Sequence, residues 1–169
     1  INIGCQLFSR KHPDFHKFTL LNTVLGGYFG SRLMSNIREE KGYTYGIQSS
    51  VYTNLETGHM QISTQTANEY IDTVIAEIYK ELKLLCKEPI PNDELNIVKN
   101  YMIGSMARTL DGDFSRAGFY ISVNNYGMDI EEYVNPAPII KIEEPVATEA
   151  VTEKKPKVKR KSKKNTKHE

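Results

Sequence analysis

The pattern of apolar and polar positions predicts a domain in which strands and helices alternate. Residues 1–9 look like a strand, and Pro13 then begins a helix whose apolar positions lead to a glycine pair. Two more strands are predicted over residues 43–53 and 58–66, because residues 59–66 alternate with the period of two typical of a half-buried strand. The short loop between them predicts an antiparallel hairpin.

The second half of the pattern is helical. Residues 71–85 carry apolar side chains at helical spacing, and Thr66 with Glu69 fits a capping box in front of them. Prolines at positions 89 and 91 interrupt the chain, a second amphipathic helix starts at residue 92, and further helical turns are predicted from Phe114 to Tyr126. These elements predict an α+β fold, a two-layer domain with helices packed on an antiparallel-rich sheet.

The composition changes after Tyr133. Residues 139–169 contain 10 lysines and arginines against 5 glutamates, so this stretch carries +5 while the residues before it carry −4. Because so few apolar residues remain, we predict a disordered basic tail over residues 136–169 and a partial domain over residues 1–135. The lysine-rich run at 154–164 lacks the aromatic residues that stack on bases, so a solvated tail is favoured and a nucleic-acid partner is not expected.

The chain length, the apolar runs and the cysteines exclude several classes of protein. A chain of 169 residues can hold one core, and no apolar run in it approaches the roughly 20 residues that a membrane span needs. Cys5 and Cys86 are too few for a disulfide framework, so they are expected to be buried free thiols, and they leave the compartment open. Because the chain begins in a strand without a starting methionine, it is expected to be a fragment.

Residues 26–46 contain the one pattern that indicates chemistry. A glycine pair at 26 and 27 ends one helix, Ser31 is placed to cap the next, and Gly42 can adopt the left-handed conformation that stops it. Arg38 then lies in the last helical turn and Tyr45 on the strand that follows. Such a tight return can aim a guanidinium and a phenol at a common point, one a fixed cation and the other a hydrogen-bond donor.

A purely structural role is the alternative for both side chains. An arginine at a helix end commonly serves the helix dipole or pairs with acids such as Glu39 and Glu40. Tyrosines that alternate with Ile47 and Val51 usually pack in a sheet. This alternative predicts a tyrosine sealed among aliphatic neighbours, whereas a functional role needs an open face.

The order of the short motifs in this region resembles the second-domain motif of the pitrilysin family of zinc peptidases, which includes insulin-degrading enzyme and the mitochondrial processing peptidases. In that family a Gly-Gly, a Ser-Arg-Leu and an Arg-Glu-x-x-Gly-x-x-Tyr follow one another. The corresponding segments here are Gly26-Gly27, Ser31-Arg32-Leu33 and the run from Arg38 to Tyr45. The resemblance extends more loosely from Ile3-Gly4 to about Tyr133, and it implies the C-terminal lobe of such a peptidase.

The resemblance also implies roles for two residues. Arg38 and Tyr45 correspond to the arginine and tyrosine that act as catalytic and substrate-binding residues, holding the carbonyl of a peptide substrate and the developing oxyanion. In the family they reach a zinc site on another domain, where zinc is bound through H-x-x-E-H. The implied cofactor is therefore zinc held by a preceding N-terminal peptidase domain or by a partner subunit.

The chain itself lacks the zinc motif. His12 and His16 have a ligand-like spacing of four, but Phe15 stands where the inverted motif needs glutamate. The chain alone is therefore not expected to be an active peptidase. A noncatalytic scaffold or peptide-binding subunit of the same family stays open as the alternative, although the presence of both Arg38 and Tyr45 favours the catalytic role.

Overall fold

The computed structural model describes residues 1–130. Its sheet has three antiparallel strands, β1 (Asn2–Leu7), β2 (Thr44–Thr53) and β3 (Gly58–Thr66), in the order β1-β3-β2. In the loop between β2 and β3, Asn54 Oδ1 accepts hydrogen bonds from the backbone N–H groups of Glu56 and Thr57 at 3.0 and 2.6 Å. The predicted hairpin is confirmed, and its turn is held by this asparagine.

The helices follow the predicted order. The first, α1 (Phe15–Asn22), continues into a π-helical turn (Thr23–Gly27) that ends at the glycine pair. A second π-helical segment, which we call the Arg38 helix (Met34–Glu40), leads into β2. After the hairpin come a 3₁₀ turn (Asn68–Tyr70), α2 (Ile71–Lys87), α3 (Asn92–Thr109) and α4 (Asp113–Tyr126).

The main hydrophobic core lies between one face of the sheet and the helices. Its fully buried members are Leu33 and Ile37 of the segment before β2, Ile62 of β3, and Val74 and Ile78 of α2. The α+β class is confirmed, because helices cover an antiparallel sheet. The inward-facing alternation predicted for β3 is confirmed as well, since its even-numbered residues 58–64 are buried. A second cluster joins α1 and the π-helical turn after it to α3 through Leu20, Val24 and Val98.

Three local expectations were wrong. Thr66 does not cap the following helix, because its Oγ1 donates to the backbone carbonyl of Tyr43 at 2.6 Å, and the chain enters α2 through the 3₁₀ turn instead. The Ser31 hydroxyl is buried and has no hydrogen-bond partner within residues 1–130, while the Ser31 carbonyl accepts the N–H of Ser35 at 2.9 Å. Cys5 and Cys86 are exposed free thiols.

Glycine is needed at positions 26 and 42, on either side of the Arg38 helix, for two different physical reasons. Gly42 ends the helix with φ +66°, the left-handed conformation that was predicted. At Gly26 the reason is close approach, because a Cβ there would lie 2.8 Å from both Cβ and N of Ser49. Gly26 therefore lets the end of the π-helical turn pack directly against β2.

The predicted boundary at residue 135 and the predicted tail over residues 136–169 lie outside the described residues and stay predictions. Among the helices within residues 1–130, none combines the length and apolar character needed to cross a bilayer.

Candidate functional site

Arg38 lies near the end of its helix, where the chain turns back at once into β2. The N–H of Gly42 donates to the Arg38 carbonyl at 3.1 Å and the N–H of Tyr43 donates to the carbonyl of Ile37 at 3.0 Å, which closes the helix end. Arg38 Nε donates to the Tyr45 carbonyl at 3.0 Å. π-Helical winding is uncommon and recurs at functional sites. The two residues singled out by the sequence are therefore in direct contact through the backbone of the second.

The rest of the Arg38 guanidinium is held only loosely. Its Cζ lies 4.7 Å from the ring centroid of Phe29, a cation–π distance, and its Nη1 is 3.8 Å from Glu39 Oε1. The ion pair with Glu39 is long and exposed, so it contributes little. The Nε bond thus sets the orientation of the group, while its Nη atoms keep donor capacity for a ligand.

Tyr45 lies in a β-bulge. Thr44 pairs with Thr66 of β3 and Ile47 pairs with Thr64, so β2 contains one extra residue between these two pairs. In a regular strand, positions 44 and 47 would face opposite sides of the sheet. Here Thr44 and Ile47 are both buried, and the residues between them are exposed. The bulge thereby turns Tyr45 away from the core.

The Tyr45 side chain is fully exposed, at 101% of its reference area. The alternative in which it packs beside Ile47 in the sheet is wrong, because the bulge separates the two residues onto different sides. Within residues 1–130 its hydroxyl has no hydrogen-bond partner. A glycine inside a strand often marks a bulge, so Gly46 is the sequence signal that could have located this one.

Side chains from the preceding helices close the outer edge of β2. Three backbone groups on alternate residues of this edge are bonded to a guanidinium, a thioether and an amide. They are the Tyr45 carbonyl (to Arg38 Nε, 3.0 Å), the Ile47 N–H (to Met34 Sδ, 3.4 Å) and the Ser49 carbonyl (to Asn22 Nδ2, 3.1 Å). Since these groups are occupied, β2 does not offer them to a further strand here, and a ligand would meet the side chains that project from this edge.

An open groove of about 650 Å³ lies beside Tyr45. Residues 26–29, 44–48 and 63–65 line it, and their side chains are uncharged. Phe29, 62% exposed, lines this groove together with Tyr45. Arg38 does not line the groove, but its guanidinium contacts the ring of Phe29, which does. The groove therefore combines an exposed phenol, an exposed aromatic ring and a nearby cation.

The described residues do not fit a zinc site. Within residues 1–130 no three His, Cys, Asp or Glu side chains are grouped so that they could hold a metal ion. His12 Nδ1 accepts the N–H of Asp14 at 3.2 Å, and its ring stacks on Phe8 at 4.1 Å between centroids.

A polar network fastens the Arg38 helix to α2. Asn36 Nδ2 donates to Glu81 Oε1 at 2.6 Å and to Glu77 Oε2 at 3.1 Å. Lys41 Nζ lies 2.8 Å from the same Glu77 oxygen and donates to Asn36 Oδ1. The hydrogen bond from Lys41, followed by that from Asn36, lowers the pKa of Glu77 from 4.5 to about 2. The ionised carboxylate is thus part of what positions the helix.

This network predicts an acid-sensitive contribution to stability. Because the folded protein lowers the pKa of Glu77, the stabilisation is complete above the unfolded value of 4.5 and fades as the pH falls toward about 2. Since the side chain is partly exposed, Glu77→Gln should lower the free energy of unfolding at pH 7 by about 1–2 kcal/mol.

Denaturant unfolding of the native protein at a series of pH values measures this difference. The gap between wild type and Glu77→Gln should narrow below about pH 4.5. Glu56→Gln, in the exposed hairpin loop, is the matched control and should leave the unfolding free energy nearly unchanged. A gap that stays constant down to about pH 2.5 would contradict the role given to Glu77.

Comparison with known proteins decides the family. The profile of the peptidase M16 inactive domain matches residues 1–102, which is more than half of the chain. The chain belongs to the peptidase M16 inactive domain family. This confirms the resemblance to the pitrilysin-type zinc peptidases drawn from residues 26–46.

Two curated relatives carry different names. The "Uncharacterized zinc protease YmxG" of Bacillus subtilis is 30% identical over 105 residues, which is 62% of this chain and 26% of that protein. The "Non-peptidase homolog YmxG" of Helicobacter pylori is 32% identical over 98 residues, which is 54% of this chain and 21% of that protein. This M16 chain therefore spans about a quarter or less of the length of these relatives.

A solved structure agrees with the family and the fold. The crystal structure of a peptidase M16 inactive domain from Pseudomonas fluorescens superposes with a TM-score of 0.71 at 26% identity. The match covers 79% of this chain and 32% of that one. The α+β lobe described above is therefore the architecture of an M16 inactive domain.

Proposed function

We propose that this chain supplies Arg38 and Tyr45 to the zinc site of an endopeptidase, with the zinc bound through H-x-x-E-H by a preceding domain or a partner chain. The phenol donates a hydrogen bond to the carbonyl oxygen of the scissile peptide, and the guanidinium stabilises the negative charge that develops there. Donors that are held in place before the reaction often contribute more to such catalysis than any other group. Zinc bound through H-x-x-E-H would activate a water as the nucleophile for the peptide carbonyl.

The observation that carries the proposal is the position of Tyr45. A phenol exposed to 101% beside an open groove contributes little to the stability of this lobe, so its placement is explained better by a ligand than by packing. The Arg38 Nε bond to the Tyr45 carbonyl fixes the cation on the backbone of the residue that carries the phenol. This contact supports a joint role for the two donors.

The substrate class follows from the groove. Neutral lining and the exposed Phe29 and Tyr45 rings suit an extended, uncharged stretch of peptide, with aromatic surface for its side chains. Because backbone groups at the outer edge of β2 are already bonded, we expect the peptide to contact the side chains of this lobe. We therefore propose unstructured peptides as substrates, since a folded chain would not place one peptide bond between two lobes.

The test uses the native assembly that contains this chain. It should cleave an unstructured, internally quenched peptide, lose activity on chelation, and regain it when zinc is restored. Metal analysis of the separated components should find the zinc with the H-x-x-E-H segment and none with residues 1–169. Zinc bound stoichiometrically by this chain, or cleavage that survives complete removal of zinc, would refute the proposal.

A noncatalytic role is the second candidate, favoured by the name "Non-peptidase homolog" of the Helicobacter pylori relative. It predicts that the native assembly binds the same peptide without cleaving it, and that no component contains H-x-x-E-H. Equilibrium binding measured by fluorescence anisotropy, next to the cleavage assay, separates the two candidates.

A further inference from the structure

Two buried threonines lie under the bulge that carries Tyr45. Thr44 Oγ1 is 2.8 Å from Thr64 Oγ1, 2.6 Å from the Gln65 carbonyl and 2.9 Å from the Gly46 carbonyl, and it accepts the Gly46 N–H at 3.1 Å. Thr64 Oγ1 lies 2.9 Å from the same Gly46 carbonyl. Each hydroxyl has only one proton to donate, so these acceptors share the two donors.

The hydroxyls of Thr44 and Thr64 replace backbone hydrogen bonds that the sheet loses at the bulge. A bulge leaves backbone groups without strand partners, and a buried polar group without a partner is costly. Thr44 and Thr64 face the side of the sheet on which Ile47 and Ile62 pack, where valine would otherwise suit the surroundings. Their hydroxyls are therefore explained by the bulge itself.

The peptide group between Tyr45 and Gly46 is held at both ends. Its carbonyl accepts from Arg38 Nε at 3.0 Å, and its N–H donates to Thr44 Oγ1 at 3.1 Å. Since the plane of this peptide sets the direction of the Tyr45 Cα–Cβ bond, the two contacts together set where the phenol points. Thr64 in turn holds Thr44 and Gly46.

We propose that the hydroxyls of Thr44 and Thr64 are positioning groups that act through Tyr45, a role that rests on the proposed function of the Arg38–Tyr45 pair. Both residues also line the groove, but their hydroxyls are bonded within the bulge, and we expect them to keep it in the single geometry in which the phenol meets the carbonyl. A small misplacement of a catalytic group can cost about 10²-fold in rate, so this geometry matters more for turnover than for binding.

The experiment compares Thr64→Val and Thr64→Ser in the native peptidase assembly. Thr64→Val keeps the shape and removes the hydroxyl, and it should lower kcat about tenfold with KM within about twofold of wild type. Thr64→Ser keeps the hydroxyl and should restore most of kcat. Should Thr64→Val fail to fold, Thr64→Ser and Thr64→Ala are compared instead, because both lack the methyl group and differ only in the hydroxyl.

A double-variant cycle with Tyr45→Phe separates this inference from the proposed function. If the threonines act through the phenol, adding Thr64→Val to Tyr45→Phe should lower kcat by less than about twofold. A full tenfold loss in that background, or an unchanged kcat in Thr64→Val alone, would overturn the positioning role and leave the catalytic pair standing. An unchanged kcat in Tyr45→Phe would instead overturn the proposed function.

Discussion

Replacing Tyr45 by phenylalanine in the assembled peptidase is expected to lower kcat by about 10²-fold, the cost of losing one oxyanion donor. The ring stays and only the hydroxyl is removed. Because the side chain is fully exposed and its hydroxyl has no partner within residues 1–130, the free energy of unfolding should stay within about 0.5 kcal/mol of wild type. Steady-state kinetics on a quenched peptide, with zinc content and thermal unfolding measured in parallel, check this prediction.

Tyr52→Phe is the matched control for this experiment. Tyr52 lies on the same strand, is 49% exposed and stacks on His59 at 5.0 Å between ring centroids. It does not line the groove. Its hydroxyl should therefore be dispensable for turnover. Equal kcat for Tyr45→Phe and wild type, at equal zinc content, would remove Tyr45 from catalysis.

Replacing Arg38 by lysine is the second change with a large expected effect. Lysine keeps the positive charge, but all its donors are on one nitrogen, so it cannot bond the Tyr45 carbonyl and also place donors where the Arg38 Nη atoms lie. We expect kcat/KM to fall by about 10²-fold, with part of the loss in KM because, in the proposed function, the guanidinium would also contact the ground-state carbonyl. Kinetics at several peptide concentrations separate the two parts.

Arg116→Lys is the matched control, because it also replaces a guanidinium by an ammonium and keeps the positive charge. Arg116 pairs with Asp113 at 2.5 Å on the exposed surface of α4, away from the residues that line the groove. Its replacement should leave kcat/KM within about twofold of wild type. If Arg38→Lys behaves like Arg116→Lys, the charge alone suffices and the bond to the Tyr45 carbonyl has no catalytic consequence.

Much of the fold was predictable because its determinants are local. The period-two alternation of residues 59–66 and the glycine at 42 act within a few residues, and the structure has β3 and the left-handed helix end where they were expected. The apolar spacing in residues 71–85 likewise predicted α2. The Thr66–Glu69 capping box failed for the opposite reason, since Thr66 bonds to Tyr43, a partner distant in sequence.

The identity of the two candidate site residues could be predicted from the sequence, but the direction of the Tyr45 side chain could not. The motif order pointed to Arg38 and Tyr45, but regular alternation placed the tyrosine on the same face as Ile47. The extra residue in β2 reverses this, and one of the side chains that hold the bulge is Thr64, which lies 20 residues from Thr44 along the chain. Gly26 is a similar case, because its need for close approach to Ser49 is visible only once the two segments meet.

Three features follow from the amino-acid sequence alone: the order of the elements, the glycine that stops the Arg38 helix, and the family signature that brings an arginine and a tyrosine close along the chain. The folded contacts, in contrast, turn the tyrosine outward beside a groove and bond its backbone carbonyl to the arginine. The physical reason is that local propensity depends on neighbours in sequence. A β-bulge instead depends on which groups across the sheet satisfy its unpaired backbone.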